Sequence, residues 1–320
     1  MADTLTLQLT TTPSLRAPVL LAAFAGWGDG ALAGSGAIQH LLNTYETQRL
    51  GGFDPDDIYD YTSVRPIAVR KETGERELIW PALDLHACPL PDGQHDLLLL
   101  MGPEPSLRWR SAAAALVETV RGLGAVGVIV LGSYWDRVTH LGRPLLTGRA
   151  TEPIAIKRLQ ALDIPESGYQ GPTGFSSALL DACARARLLG IGLSARAPHY
   201  AQNMTHPPLS YGLLEAVQRL AGLTLNLEAL QRAAEQYERL LTERAQQEPR
   251  LWQYIQQRAA ELGQAPARHD FGGGLWTAIA AGAPPGTEAP SPPSGPPQLP
   301  TPAEAVSAVE EFLRRASRGQ

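Results

Sequence analysis

The sequence predicts a three-layer α/β/α sandwich followed by a helical hairpin, and two observations carry that expectation. First, short apolar runs end in glycine-rich or polar phrases. Val19–Phe24 runs into Ala25-Gly26-Trp27-Gly28-Asp29-Gly30, and Asp96–Met101 into Gly102-Pro103-Glu104-Pro105-Ser106-Leu107-Arg108-Trp109-Arg110. Val126–Leu131 runs into Gly132-Ser133-Tyr134-Trp135-Asp136. Runs of this length fit strands buried on both faces, as in a parallel sheet. Second, these runs alternate with segments of helical period, the pattern of helices layered on a sheet. Ligands and partners of open α/β sheets usually meet the chain just past the carboxyl ends of such strands, so the phrases are the places to seek function.

Gly30–Thr44 has helical period, with Gly30, Ala33, Gly34 and Ala37 on a small-residue face and Ile38, Leu41 and Leu42 as bulk. In Phe53-Asp54-Pro55-Asp56-Asp57-Ile58-Tyr59-Asp60-Tyr61, Asp54 can cap a helix start. Pro55 then takes its first turn, and Asp56 and Asp57 face the positive dipole end. The alternative is a metal site built from the converging carboxylates. Ile58–Tyr61 and Ile67–Arg70 read as strands, with Gly74 at a turn before Leu78–Trp80, an antiparallel excursion between parallel units. Ser111–Val120 reads as a helix feeding the Val126–Leu131 strand. Glu152–Ala161 and Ser176–Arg187 read as helices and Gly190–Ala195 as the last core strand.

From Leu209 the character changes. Ser210–Leu220 and Leu227–Leu262 are helical, and Leu230, Ala233, Ala234, Tyr237, Leu240 and Leu241 form one apolar stripe. Pro249 breaks the run, and Leu251, Trp252 and Ile255 continue it in a second helix, an antiparallel pair. The expected organisation is an α/β core over 1–208, a helical appendage over 209–262, a Pro/Gly-rich linker over 263–301 and an amphipathic helix over 302–320. Val306, Val309, Phe312 and Leu313 share one face of that helix. A helix so short is not stable alone, so it is expected to dock, on its own body, a sister subunit or a partner.

Composition narrows the function class. The 320 residues carry a net charge of −5, against the basic stripe that nucleic-acid binding needs. Cys88 and Cys183 sit in apolar settings and read as reduced thiols. The start is polar and acidic, without the pattern of a secretory signal, and no apolar run is long enough to span a bilayer. A cytoplasmic protein without membrane partner is expected.

Eight phrases stand in a recognisable order: FAGWGDG, FDPDDIYDYTSVRP, LIWP, GPEPSLRWR, the Thr139–Glu152 stretch with His140 and Arg143-Pro144, YQGPTG, DACARA and APHY. Over residues 17–260 or so, the chain resembles the bacterial branch of the proteasome assembly chaperone 2 family. The resemblance implies a nucleoside-phosphorylase-like sandwich in a homo-oligomer, with a trimer the first expectation. It implies protein partners, and for most bacterial members no established activity. Proteasome-binding relatives end in a hydrophobic residue, a tyrosine and one more residue. This chain ends Ser317-Arg318-Gly319-Gln320, so docking by that device is not expected.

The candidate ligand or interface residues are Trp27, Asp29, Glu104, Arg108, Trp109, Arg110, Asp136, His140, Arg143 and His199. Arg108 and Arg110 can hold an anion through the guanidinium fork. His140, four residues past Asp136, can be a general base oriented by a carboxylate. In the duller reading Glu104 pairs with Arg108 or Arg110, while Trp27, Trp109 and Trp135 pack between elements or across a subunit seam. Gly26-Trp27-Gly28-Asp29-Gly30 opens a helix and can cradle phosphate. It nevertheless lacks both the dinucleotide fingerprint and the P-loop ending. Gly132-Ser133 is no nucleophile elbow, and no Cys/His group has zinc spacing. The expectation is a non-catalytic, homo-oligomeric binding or assembly factor without metal or cofactor. The rival is an enzyme or sensor for a nucleoside-like or anionic ligand at the Asp29, Arg108, Arg110 and His140 loops.

Overall fold

The apolar runs become the centre of one eight-stranded sheet. The computed structural model describes residues 5–91, 93–202 and 205–263. In chain order the strands of this sheet are β1 (Gln8–Leu9), β2 (Val19–Ala25), β3 (Gln48–Gly52), β6 (Asp84–Cys88), β7 (Leu97–Pro103), β8 (Gly127–Asp136), β9 (Leu146–Ala150) and β10 (Leu189–Pro198). Their spatial order is β1-β3-β6-β7-β2-β8-β10-β9. β7, β2, β8 and β10 run parallel. The outer strands are antiparallel, so the sheet is mixed.

Period-two alternation sorts β2 between two cores. Val19, Leu21 and Ala23 face one apolar cluster with α1 (Ala33–Thr44), α4 (Pro153–Ala161) and α6 (Pro207–Ala221). Leu20, Ala22 and Phe24 face the other, with α3 (Trp109–Gly122) and α5 (Phe175–Arg185). The expected three layers are present. Each fully buried leucine or phenylalanine of these clusters contributes about 1.5–3 kcal/mol.

One expected strand is absent. Ile58–Tyr61 closes α2 (Pro55–Ile58) and enters a turn. Local chemistry decides it: the Asp54 carboxylate accepts the Asp56 N–H at 3.0 Å and Pro55 supplies the first helical position. Ile58 is buried at the helix end, and Tyr59 donates to the Pro103 carbonyl at 2.9 Å. The excursion beyond is an antiparallel ribbon of β4 (Ile67–Arg70) and β5 (Arg76–Ile79).

The helix α6 is one of the sandwich layers. Leu209, Leu213, Leu214, Val217 and Leu220 lie in the core shared with α1, and the Ser210 hydroxyl donates to the Ala33 carbonyl at 2.8 Å. α7 (Glu228–Gln246) and α8 (Pro249–Leu262) follow, with the break at Pro249. The expected linker and terminal helix, with Val306, Val309, Phe312 and Leu313, lie outside the described residues.

The small face of α1 has a definite purpose. A Cβ at Gly34 would stand 2.5 Å from the Leu131 carbonyl oxygen and 3.0 Å from the Gly132 nitrogen, both backbone. Glycine therefore lets the helix lie against β8. Gly34→Ala is expected to cost about 1–3 kcal/mol by overpacking. Gly122→Ala, at a helix end with nothing within 4 Å, is expected to be neutral or slightly stabilising. Urea midpoints of the two variants check this.

Candidate functional site

The carboxyl ends of β2, β7 and β8 carry the phrases singled out above. The ladder continues past the end of β2 along β8: the Gly30 N–H donates to the Ser133 carbonyl at 3.0 Å and the Ser133 N–H to the Gly28 carbonyl at 3.1 Å. Gly132 permits this approach, since a side chain there would strike the Gly28 carbonyl. These bonds seat Asp29 in the interior, with 1% of its surface exposed.

Asp29 is spent on structure. Its carboxylate accepts the N–H groups of Gly34 at 3.0 Å and Ser35 at 2.7 Å, the Ser35 hydroxyl at 2.8 Å and the Ser133 hydroxyl at 2.5 Å. Ser133 Oγ in turn accepts from the N–H groups of Ala31 at 3.1 Å and Ala33 at 3.3 Å. The residue at the capping position, Leu32, is left-handed and has no side-chain oxygen to offer. Asp29 and Ser133 thus satisfy the amides at the start of α1 that a helix leaves open.

Glu104 does the same for α5. Its Oε1 accepts the Phe175 N–H at 2.6 Å and fills the space a Cβ at Gly174 would need. Gly26, with φ +155°, brings the β2 loop against the Glu104 side chain, 3.1 Å from its Cβ to an ideal Cβ. At this edge a carboxylate of the protein itself thus stands at each of two helix N-termini, taking the amides of Gly34 and Ser35 at one and of Phe175 at the other. Beside them stand two exposed rings: Trp27 and Tyr169 are each 60% exposed, 6.1 Å apart and tilted.

The other candidates disperse. Arg108, left-handed at the start of α3, meets Asp57 at 2.7 Å. Trp109 donates to the Pro105 carbonyl at 2.5 Å and packs edge-on against Phe175, which meets Phe24 likewise. Trp135 meets His206 edge-on. The packing role expected of Trp109 and Trp135 is thereby described, while Trp27 stays exposed. Arg110 lines an outer groove between α3 and α5. Arg143 lines a separate cleft with Arg196, Arg219 and Glu215.

The expected Asp136–His140 couple does not form. Asp136 binds Arg196 at 2.8 Å, and its carbonyl accepts the His199 N–H at 3.1 Å. Both ring nitrogens of His140 are engaged elsewhere: Nδ1 with the Tyr200 hydroxyl at 2.7 Å and Nε2 with Thr242 Oγ1 at 2.9 Å. The Tyr200 hydroxyl also accepts the His140 backbone N–H at 2.9 Å. Burial pushes His140 down to about 4. His206, also lowered by burial, contacts the Tyr237 hydroxyl at 2.9 Å. These histidines tie the body to α7, and exposed His199 packs on Tyr200 and Tyr254. Sequence reading missed Ser133, Tyr200, Tyr237 and Thr242 as partners. Only Ser133, directly after an apolar run, carried a local signal.

The class defined by this geometry is a mixed-sheet α/β/α protein. Among the described residues Asp29, Glu104, Arg108, Asp136 and His140 are each bonded to other parts of the fold, and no group of three or more histidine, cysteine and carboxylate residues could hold a metal. No described helix is long and apolar enough to cross a membrane. A model of the PAC2 family matches residues 23–245, and the chain belongs to that family. A proteasome-assembly chaperone homologue from Mycobacterium tuberculosis is 29% identical with a TM-score of 0.68, covering 74% of this chain and 99% of its own. A PAC2 family protein from Streptomyces avermitilis is 30% identical with a TM-score of 0.67, covering 74% and 99%. An archaeal proteasome activator from Pyrococcus furiosus shares the fold alone, at 18% identity and a TM-score of 0.58, covering 75% and 98%. No curated protein matches the chain.

Asp29→Ala is expected to lower stability by about 2–3 kcal/mol, because it strands several helix amides at once. Glu104→Gln keeps an acceptor and is expected to cost about 0.3–1 kcal/mol, the helix-dipole share. Equilibrium unfolding in urea reads both.

The histidines set a pH dependence. His140 is lowered in the folded state, so its contribution is complete above the ordinary 6.5 and is lost as pH falls from there toward about 4. The loss is expected to be on the order of 2–3 kcal/mol for this group. Burial alone would raise the Asp96 carboxyl, but bonds from Arg16 and Leu90 outweigh it and hold it below 3.8, so its loss comes at lower pH. His140→Asn is expected to flatten the slope between pH 6.5 and 4. The lowered His86 and His206 leave a residual slope. Urea midpoints across that range measure it.

Proposed function

We propose that this chain is a non-catalytic protein-binding or assembly factor of the cytoplasm, a homo-oligomer and in the first instance a homotrimer. It meets its protein partners through the α/β body or through the helix expected over residues 302–320. One observation carries the reading. At the sheet edge where an α/β enzyme would hold an anion on a helix N-terminus, Asp29 and Glu104 already occupy two such termini. What that edge offers to solvent beside them is aromatic: Trp27 and Tyr169. Exposed aromatic side chains with a polar tip are common anchors of protein interfaces. The resemblance to a proteasome-assembly chaperone homologue supports the same class of role.

The test uses the full chain and two variants, Trp27→Ala/Tyr169→Ala and a 1–300 truncation, in co-purification from the native host read by mass spectrometry. A stoichiometric protein retained by the full chain and lost from either variant is the expected result, and it also tells body from tail. In parallel, inorganic phosphate, nucleosides and small carboxylates at millimolar concentration are expected to leave Tm unchanged. A ligand of useful affinity would raise it in proportion to RT ln(1 + [L]/Kd). A clear rise with phosphate or a nucleoside, with no partner captured, would replace this reading with a ligand-binding one.

A further inference from the structure

The β4–β5 ribbon stands almost wholly exposed. Its two strands pair only with one another, outside the eight-stranded sheet. A two-stranded ribbon is marginal in water unless something packs on it. Every residue of β5 is exposed, and Ile67, Leu78 and Ile79 are exposed by 63%, 53% and 52%. Gly74, with φ +87°, makes the turn, and the Lys71 N–H donates to the Glu75 carbonyl at 2.9 Å, so the ladder reaches the tip.

The register sorts the side chains onto two faces. Ile67 pairs with Ile79 and Val69 with Glu77, while Ala68 pairs with Leu78 and Arg70 with Arg76. Paired residues share a face and neighbours alternate. One face therefore carries Ala68, Leu78, Arg70 and Arg76. The opposite face carries Ile67, Ile79 and Val69 with Glu77, Glu75 and Lys71. The Lys71–Glu77 contact of 3.1 Å agrees with that assignment. Glu72 lies in the turn, outside the ladder.

Each face thus joins apolar side chains to charge of one predominant sign. Arg70 and Arg76 stand directly opposite each other, a like-charge pair that weakens an isolated ribbon. Among the described residues neither has a salt bridge. A surface bearing carboxylates beside aliphatic groups would relieve it, and the ribbon's own reverse face is such a surface.

We infer that the β4–β5 ribbon is the self-assembly element of this chain, its Arg70–Arg76 face seated on the Glu75–Glu77 face of a second copy. The inference rests on the homo-oligomeric part of the proposed function and deepens it. Like faces would set arginine on arginine or glutamate on glutamate, so the contact joins two different faces. Such a heterologous contact builds a ring of three or more copies where its rotation closes and an open filament where it does not, rather than a twofold dimer.

The full chain is compared with three exposed-surface variants by light scattering after size exclusion, with far-UV circular dichroism as the folding control. Wild type is expected at three or more chain masses. Arg70→Glu/Arg76→Glu is expected to fall to one mass with an unchanged spectrum, as is Glu75→Arg/Glu77→Arg. The quadruple exchange restores complementarity and is expected to regain the wild-type mass. A monomeric or dimeric wild type overturns the inference. So does a mass that survives either double reversal, or a quadruple variant that stays monomeric. A chain that is monomeric yet still captures its protein partner sinks this inference and the homo-oligomeric part of the proposed function, and leaves the binding reading standing. A wild type of three or more chain masses that survives the double reversals sinks this inference alone.

Discussion

The fold turns on one bridge between distant parts of the chain, the contact of Asp29 with Ser133. The two are 104 residues apart in sequence, yet they share the work of starting α1. Without them the helix would begin with open amides in the interior, where each unsatisfied donor costs about 1–3 kcal/mol. With them, the turn after β2 is locked to the end of β8 by side chains as well as by backbone. Gly34 and Gly132 make the bridge sterically possible, because a Cβ at either would meet backbone oxygen. The helix layer, the central strands and the carboxyl edge therefore depend on the same few atoms.

That dependence bears on function. A scaffold of this kind keeps its helix N-termini free when it binds phosphate or carboxylate ligands. Here a buried aspartate and a glutamate take those positions, and an outside anion would have to displace a covalently tethered rival. His140 is likewise committed, held between Tyr200 and Thr242 with its ring neutral at ordinary pH. A polar residue at a strand end is therefore insufficient as a sign of chemistry. What matters is whether the fold has already claimed its hydrogen bonds.

Legibility in the sequence followed the range of the deciding interaction. Val19–Phe24 and Val126–Leu131 were readable because burial on both faces demands continuous apolar sequence, whereas the continuation of β8 to Asp136, through exposed Tyr134, was not. The Asp54 cap and Pro55 helix start were readable because every participant lies within a few residues. The same local chemistry overrode the strand suggested by Ile58–Tyr61. The antiparallel strands Gln48–Gly52 and Leu146–Ala150 were missed, since their neighbours in the sheet, more than their own side chains, make them strands. The ties of Asp29 to Ser133 and of His140 to Thr242 span over a hundred residues and leave no spacing to read.

The exposed apolar groups give the last step. Among the described residues Trp27 and Tyr169 at the sheet edge, and Ile67, Leu78 and Ile79 on the ribbon, keep about half or more of their surface in solvent. Trp80, 49% exposed, leans edge-on against Tyr61 and extends the second set. Water exacts about 25 cal/mol for each Å² of apolar surface left uncovered, so clustered exposure is informative where scattered exposure is not. The two sets sit on different elements and differ in character. The ribbon pairs aliphatic faces with opposite charge, which suits a copy of itself. The edge offers two aromatic rings beside capped helix termini, which suits a different protein. On the division proposed here the ribbon would build the assembly and the edge would stay open for a partner.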